Sequence, residues 1–261
     1  MKIIRHPPTM QRTALQWRKE GKQIALVPTM GALHPGHEAL IKKARKQADI
    51  LIVSIYVNPT QFSAGEDLHR YPRPFRTDCQ KCRLWDVDIV FAPKNLYAPD
   101  HSTWVEELSL SQGRCGPFRP GHFRGVTTVV AKLFLICQPH LAFFGQKDAQ
   151  QLEVIQRMVR DLHFPIKIIP VETIRDTDGL AFSSRNTYLS PTERQKARQF
   201  AAALQQAIHH PNPISWFKKE ISRLKGVRLD YAEIVNNRLC AAVHIGKTRL
   251  IDNVATTLKK K

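Results

Sequence analysis

The clearest pattern begins at residues 24–27, where Ile24, Ala25, Leu26 and Val27 form a short unbroken apolar run, the signature of a strand. A loop over 28–36 follows. Over residues 37–48, Leu40, Ile41, Ala44 and Ala48 then fall on one stripe, with Lys42, Lys43, Arg45 and Lys46 elsewhere, which is the period of an amphipathic helix. Residues 50–57 are nearly all apolar and rich in β-branched side chains, as expected of a strand covered on both faces. Asn58-Pro59 ends it. A helix over 75–84 precedes a strand over 87–91, and the Pro- and Gly-rich stretch 97–121 reads as loops with short strands. A helix over 126–136, a strand over 141–144, a helix over 149–162 and a strand over 166–171 complete the series. This βαβα order predicts an α/β fold: a parallel sheet with helices on both faces.

The pattern changes at Ser190-Pro191, an N-cap serine followed by proline at the first helical position. Helices near 191–209 and 213–224 lead to β-like runs at 229–235, 239–245 and 248–251, a small α+β domain. The expected division is therefore 1–185 and 186–261. Neither an internal repeat nor a low-complexity segment interrupts it.

Composition narrows the class. With 261 residues, 43% hydrophobic and 24% charged, the chain can bury a substantial core. The most apolar run, Val126 to Cys137, is broken by Lys132 and reads as a buried helix rather than a membrane span. The first residues, Met1-Lys2-Ile3-Ile4-Arg5-His6-Pro7-Pro8, lack the apolar centre of a signal peptide. Five cysteines, an odd count without a secretory signal, suggest reduced thiols in a cytoplasm. Cys79-Gln80-Lys81-Cys82 has the spacing of half a zinc site, but no second pair completes it, and an incidental pair on a helix is the simpler reading. The 40 basic residues outnumber the 22 acidic ones, for a net +18. Residues 186–261, with 14 basic and 5 acidic residues, carry half of that excess. A basic face can steer polyanions such as nucleotides or nucleic acid. The alternative is a solvated surface with a loose Lys259-Lys260-Lys261 tail.

Four polar clusters sit where a strand hands over to a loop or helix, the place where open parallel sheets collect ligands. The first is Pro28-Thr29-Met30-Gly31-Ala32-Leu33-His34-Pro35-Gly36-His37. Its glycines let backbone approach a ligand, and the helix that follows offers unpaired N–H groups and a positive dipole end to phosphate. His34 and His37, three positions apart, share a helical face and can donate to phosphate oxygens, with adjacent negative charge favouring their protonated forms. The alternative is that one caps the helix and the other lies on the surface. In the second cluster, Asn58 and Gln61 are neutral amides suited to a substrate's hydroxyl and carboxylate groups, although Asn-Pro is also an ordinary turn. The third is Gly145-Gln146-Lys147-Asp148 followed by Gln150-Gln151, where Lys147 either places a charge on a transferring phosphate or is a solvated partner of Asp148. The fourth, Phe182-Ser183-Ser184-Arg185-Asn186, is either an anion clamp or a loop leading into the last domain.

Taken together the clusters resemble those of the pantothenate synthetase (pantoate–β-alanine ligase) family. PTMGALHPGH, VSIYVNPTQF, RPGHFRGV, FGQKDAQQ, DGLAFSSRN and IGKTRLIDN occur in the family's order and approximate spacing over nearly the whole chain. The His-Pro-Gly-His pair alone would point only to the broader nucleotidyltransferase superfamily. The resemblance implies a Rossmann-like N-terminal domain, a smaller C-terminal lid domain and a homodimer. It also implies ATP as substrate with Mg2+, and condensation of pantoate with β-alanine through a pantoyl adenylate, releasing AMP and pyrophosphate. It implies an ATP site made of Met30 through His37, Gly145 through Asp148, Ile174 and Phe182 through Arg185. Within that site His34, His37, Lys147 and Arg185 would be catalytic. Pantoate would meet Gln61, Gln151, Val129 and Val130, and β-alanine would meet Gln61, with Asn58 organising the loop.

The sequence departs from the family pattern at several points. Gln146 stands where Glu is usual, Phe182 where Met or Leu precedes Ser-Ser-Arg, Tyr56 where Phe is common and Ile174 where Val usually contacts adenine. The stretch Val235-Asn236-Asn237-Arg238 is shorter than in longer members, which bears on lid geometry. Two other readings stand against this one. One is a different adenylate-forming ligase or nucleotidyltransferase acting on another small acid. The other is an RNA-binding protein, suggested by a pI of about 10.0, although no recognisable anticodon-binding or zinc-finger module follows the core. The expectation is small-molecule substrates, with no membrane and no specific nucleic acid as partners.

Overall fold

A computed structural model describes residues 1–256, so the expected Lys259-Lys260-Lys261 tail lies outside the described residues. The chain runs β1 (Lys2–Ile4), α1 (Pro7–Lys19), β2 (Ile24–Thr29), α2 (Pro35–Arg45), β3 (Ile50–Ile55), α3 (Phe75–Leu84), β4 (Ile89–Phe91), α4 (His122–Cys137), β5 (Leu141–Gly145), α5 (Ala149–Asp161) and β6 (Lys167–Val171). Then follow α6 (Pro191–Ala207), α7 (Pro213–Ser222), β7 (Val227–Val235), β8 (Arg238–Ile245) and β9 (Thr248–Ala255).

The first six strands form one parallel sheet in the order β1-β4-β3-β2-β5-β6. Alternate residues of each strand feed two cores, because successive side chains point to opposite faces. Ile24, Leu26, Ile52, Phe91 and Phe144 pack with α1, α4 and α5 on one face. Ala25, Val27, Leu51, Val53 and Phe143 pack with α2 on the other, joined by Cys82 of α3. The last three strands form a separate antiparallel sheet, β7-β8-β9, covered by α6 and α7 around Phe200, Phe217, Ala241 and Val243. Helix α6 starts as its sequence suggests: Ser190 and Glu193 exchange hydrogen bonds in a capping box with Pro191 at the first position.

Chain order reverses between β2 and β5. Strands β3 and β4 lie to one side of β2, while β5, paired through Ala25 to Leu141 and Leu26 to Ala142, lies to the other. Such a switch point leaves a crevice at the strands' carboxyl ends. The His34–His37 turn leaves β2 there, and the Lys147 turn leaves β5.

One expectation is met and two change. The apolar segment 50–57 holds the covered strand that its pattern predicts: β3 is paired on both edges and Leu51, Ile52 and Val53 are fully buried within one chain. The stretch 97–121 forms turns and bends with no strand. β1 and α1 are additional to the predicted elements. All five cysteines are free and buried. The Cys79–Cys82 pair sits on α3, where burial pushes the Cys82 thiol up to about 12. Among the described residues no helix is long and apolar enough to cross a membrane.

Candidate active site

The turn that follows β2 is built by a carboxylate. Gly31 (φ 83°) and Ala32 (φ 51°) are both left-handed, a conformation that glycine adopts freely and alanine resists. Buried Asp78, from the first turn of α3, accepts the N–H groups of Ala32 at 2.9 Å and Leu33 at 2.8 Å and so holds the turn. Burial raises the pKa of Asp78, opposed by those two N–H groups. A side chain at Gly31 would meet Asp78 Oδ2 at 3.0 Å, so the approach itself requires glycine.

Two residues later the histidines both cap α2 and face the cavity, which unites the two readings of the sequence. His34 Nδ1 accepts the Gly36 N–H at 3.2 Å, and His37 Nδ1 accepts the His34 N–H at 3.3 Å, a reciprocal cap with imidazoles in place of the usual Ser and Glu. Their rings lie 4.0 Å apart. Because each Nδ1 is an acceptor, each neutral ring carries its proton on Nε2, where it can be donated. Without a bound anion both are neutral. Burial, then the Lys147 charge, brings His34 down to about 4. Burial, then His34 and Lys147, holds His37 well below the usual imidazole range. The protonated forms expected from sequence thus require negative charge that only a ligand brings.

On the opposite wall, α4 packs so closely on residues 59–61 that a Cβ at Gly125 would meet the Thr60 carbonyl at 2.3 Å. That contact locates Asn58, which is buried and fully engaged. It donates to the Gly125 carbonyl and to Gln61 Oε1, each at 3.1 Å, and accepts from Tyr97 at 2.9 Å and Thr60 at 3.0 Å. Asn58 is therefore a scaffold, and the amide it orients is that of Gln61. Val129 and Val130, buried on the same helix, give this end of the cavity an apolar wall.

Lys147 sits in the tight turn between β5 and α5, 17% exposed and 3.8 Å from Asp148. Asn253 of β9 donates to the carbonyls of Gln146 and Lys147 and ties that turn to the C-terminal sheet. Gln150 and Gln151 both line the cavity, and Gln150 also pins the 110–115 loop, accepting from Cys115 N–H and donating to the Leu110 and Gly113 carbonyls. The fourth cluster lies across the opening. Phe182 stacks on His34 with ring centres 6.3 Å apart, Ser183 caps the Arg185 N–H, and Ser184 shares a hydrogen bond of 3.0 Å with Tyr71. Arg185 makes a two-pronged ion pair with Asp67.

The four clusters thus share the wall of one cavity of about 260 Å³. It takes in Met30, His34, Gly36, His37, Gln61, Val129, Val130, Gly145, Lys147, Asp148, Gln151, Ile174 and Phe182 through Arg185. Five expected residues fall outside that wall. Gly31 faces a neighbouring cavity, Ala32 spends its N–H on Asp78, Leu33 is buried in the core, Pro35 is exposed at the helix start, and Gln146 is held by its carbonyl. The sequence reading missed Asp67, Tyr71, Asp78 and Asn253. For Asn253 a signal existed in the run IGKTRLIDN; the others lie in stretches whose pattern marks no ligand.

Residues 2–255 match the family model described as pantoate–β-alanine ligase. The chain is 46% identical to the pantothenate synthetase of Sulfurihydrogenibium sp. (strain YO3AOP1), covering 97% of this chain and 99% of that protein. It is 45% identical to the pantothenate synthetase of Thermotoga petrophila, with the same coverage. Among solved structures, pantothenate synthetase from Thermus thermophilus superposes with a TM-score of 0.90 at 37% identity, over 98% of this chain and 99% of that one. Pantoate–β-alanine ligase from Francisella tularensis, complexed with beta-gamma ATP and beta-alanine, superposes with a TM-score of 0.88 at 37% identity, over 98% of this chain and 97% of that one. On matches of this length and identity, supported by the shared fold, the chain belongs to the pantoate–β-alanine ligase family.

Proposed function

We propose that this chain condenses pantoate with β-alanine, using ATP and releasing AMP and pyrophosphate, by way of a pantoyl adenylate. The observation that carries this reading is the division of one cavity into two chemistries. Donors from His34, His37, Lys147 and Arg185 and the set Gln61, Gln151, Val129 and Val130 line the same wall. The first set suits phosphate, and the second suits a small acid with hydroxyls and a dimethyl group.

In the first step a carboxylate oxygen of pantoate bonds to the α-phosphorus as the bond to pyrophosphate breaks. Charge builds on phosphate oxygens in front of the two Nε2–H donors. Each neutral ring can donate its Nε2–H to that charge without taking up a further proton, its Nδ1 staying engaged in the cap. Lys147 and Arg185 stabilise the departing pyrophosphate. In the second step the β-alanine nitrogen bonds to the pantoyl carbonyl carbon and the bond to AMP breaks, with a proton leaving the nitrogen. Met30, Gly36 and Ile174 are assigned to the nucleoside, with Phe182 through Arg185 closing over its phosphates. The C-terminal unit, 186–261, serves as the lid. Mg2+ would enter with ATP, held mainly by phosphate oxygens and water, and would offset phosphate charge. Asp148, 44% exposed at the cavity wall, is a hard oxygen ligand of the kind it takes. A homodimer in the cytoplasm is part of the same reading, resting on the family resemblance and on five free, buried thiols.

The test is exchange of labelled pyrophosphate into ATP with pantoate present and β-alanine absent. The adenylate half-reaction is reversible, so exchange is expected. His34→Ala, His37→Ala and Lys147→Ala should each depress it by roughly 10²–10³-fold, as other preorganised donors do. Exchange that needs β-alanine would overturn the two-step route, and exchange indifferent to pantoate would identify a different acid.

A further inference from the structure

The segment Glu66–Tyr71 reaches the main cavity through Tyr71 and lines an adjoining one through Glu66, Asp67 and Arg70. Its contacts with residues 184–188 span 113 to 118 positions of sequence. Asp67 Oδ2 accepts from Arg185 Nε at 2.9 Å and Oδ1 from Nη2 at 2.7 Å. Tyr71 shares a hydrogen bond with Ser184, and the Arg185 guanidinium lies 5.9 Å from the Tyr71 ring centre. Arg70 stacks on Tyr188 at 5.1 Å, and the Tyr188 hydroxyl donates to the Arg70 carbonyl at 3.2 Å. The preceding residue repeats the arrangement on the other side. Both Glu66 oxygens accept from Arg119, from Nε and Nη2, each at 2.7 Å. Arg119 Nη1 lies 2.9 Å from His122 Nε2, and His122 Nδ1 lies 2.8 Å from the Gln61 carbonyl.

The edge that Asp67 occupies decides its role. A guanidinium has five N–H groups. The carboxylate takes Nε–H and one Nη2–H, the side edge of the fork. Both Nη1 hydrogens and the second Nη2 hydrogen remain, and they form the end that can grip a phosphate. Arg185 lines both the main cavity and an adjoining one of about 390 Å³ that also holds Lys147 and Asp148. Asp67 and Arg185 are mostly shielded, 18% and 25% exposed, so water competes weakly for the pair. Burial alone would raise the Asp67 pKa, but the Arg185 hydrogen bond and charge more than offset it, so the carboxylate stays ionised.

We propose that Asp67, anchored through its neighbour Glu66 to the Gln61 loop, is a positioning residue that fixes the Arg185 guanidinium end-on to the nucleotide phosphates. An arginine side chain free in solution has many rotamers, and a fork already oriented loses less freedom when it binds. The negative charge of Asp67 also offsets that of Arg185 in cavity walls that include Lys147. The proposal rests on the functional reading above, because it takes the ligand of Arg185 to be the phosphates of ATP.

The experiment compares wild type, Asp67→Asn, Arg185→Ala and the double variant. Each is titrated with a non-hydrolysable ATP analogue by calorimetry and assayed for the KM of ATP and of pantoate. Asp67→Asn should weaken the analogue and raise the KM for ATP by roughly 5–30-fold, the range of a lost charge-assisted contact, while the KM for pantoate stays put. In the Arg185→Ala background the same change should do nothing further, which a general loss of structure would not mimic. Asp67→Glu keeps the charge but shifts the fork by one methylene. It should also weaken the analogue, and it serves if the Asn variant does not fold. Unchanged or tighter analogue binding in either single variant would overturn the proposal, tighter binding showing that Asp67 competes with phosphate. So would an undiminished effect of Asp67→Asn without Arg185. Wild-type enzyme that binds the analogue but lacks pantoate-dependent exchange would sink the functional reading instead, leaving Asp67 to be judged by the titration.

Discussion

The side-chain amide of Asn253 donates to the backbone carbonyl of Lys147 at 2.8 Å, across 106 positions of sequence. Its second hydrogen reaches the Gln146 carbonyl at 2.9 Å. The turn that carries Lys147 is therefore held by the last strand of the C-terminal sheet. Motion of that sheet would be felt at Lys147 directly.

Asn253→Ala should release the turn. Two hydrogen bonds to half-buried carbonyls are lost, worth about 1–3 kcal/mol together, and with them the one that Asn253 Oδ1 accepts from Arg238. The expected outcome is a lower melting temperature with weaker ATP binding. Asn253→Asp can still accept from Arg238 but cannot donate, and its carboxylate would face two carbonyl oxygens, so it should release the turn as well. Thermal melts with nucleotide titrations check both; an alanine variant that binds ATP like wild type would show that the tie is only structural.

Acidification should destabilise the nucleotide-free protein in a definite window. An unfolded histidine protonates near pH 6.5, whereas folded His34 stays neutral down to about 4 and His37 is likewise held well below the usual imidazole range. Between those values the unfolded chain binds more protons than the folded one. Stability is thus fully present above about pH 6.5 and is lost as pH falls through the window toward 4. His122, pushed well below its usual range by burial and then by Arg119, acts in the same direction. Asp67, whose pKa is lowered, contributes stability that is lost only at more acid pH, so the decline between pH 6.5 and 5 belongs to the imidazoles. Melting temperatures measured from pH 7.5 to 4.5 should fall, and His37→Gln should flatten the slope. A profile flat from pH 7.5 to 5 would contradict the neutral, desolvated histidines.

The contrast between what the sequence predicts and what it hides has a physical basis. Strands β2, β3 and β5 are visible because burial on both faces forces unbroken apolar runs. β1 is only three residues long and α1 opens on Pro7-Pro8, which reads as a breaker although proline is favoured in a first turn. Helix α4 begins at His122 rather than Val126 because its first turn is polar and serves the cavity. The histidines and Lys147 are legible because they follow strand ends in compact clusters, and Arg185 because it stands in a compact polar loop, although that loop lies well past the end of β6. Asp67, Tyr71 and Asp78 are not. Their partners lie 45 to 118 residues away, and a tertiary hydrogen bond leaves no periodicity behind.

Lys147→Arg should impair activity although charge is kept. The ammonium is confined, 17% exposed beside Asp148, and a planar guanidinium needs more width and a different donor geometry. The kcat should fall at least about tenfold, the equivalent of roughly 1.4 kcal/mol in the barrier, while circular dichroism and the melting temperature stay near those of wild type. Wild-type turnover by the arginine variant would mean that charge alone suffices at this position.

The orientation of Gln61 can be tested through its neighbour Asn58. Asn58 donates to Gln61 Oε1 at 3.1 Å, so the Gln61 NH₂ group is the part left to face an acid in the cavity. Gln61→Ala should therefore weaken pantoate, because a polar group of the bound acid loses its donor, about 1–3 kcal/mol or roughly 5- to 150-fold in kcat/KM. Asn58→Asp is more discriminating. The new carboxylate cannot donate to Oε1 and instead attracts the Gln61 NH₂ group, turning the amide so that its oxygen faces the acid. It also loses the bond to the Gly125 carbonyl, 3.1 Å in the parent, so some stability must go as well. The two effects separate in a double variant. If Asn58 acts on pantoate by orienting Gln61, adding Asn58→Asp to Gln61→Ala should lower the melting temperature while leaving the KM for pantoate where Gln61→Ala alone put it. A further rise in that KM would mean that Asn58 meets the acid by some route other than Gln61.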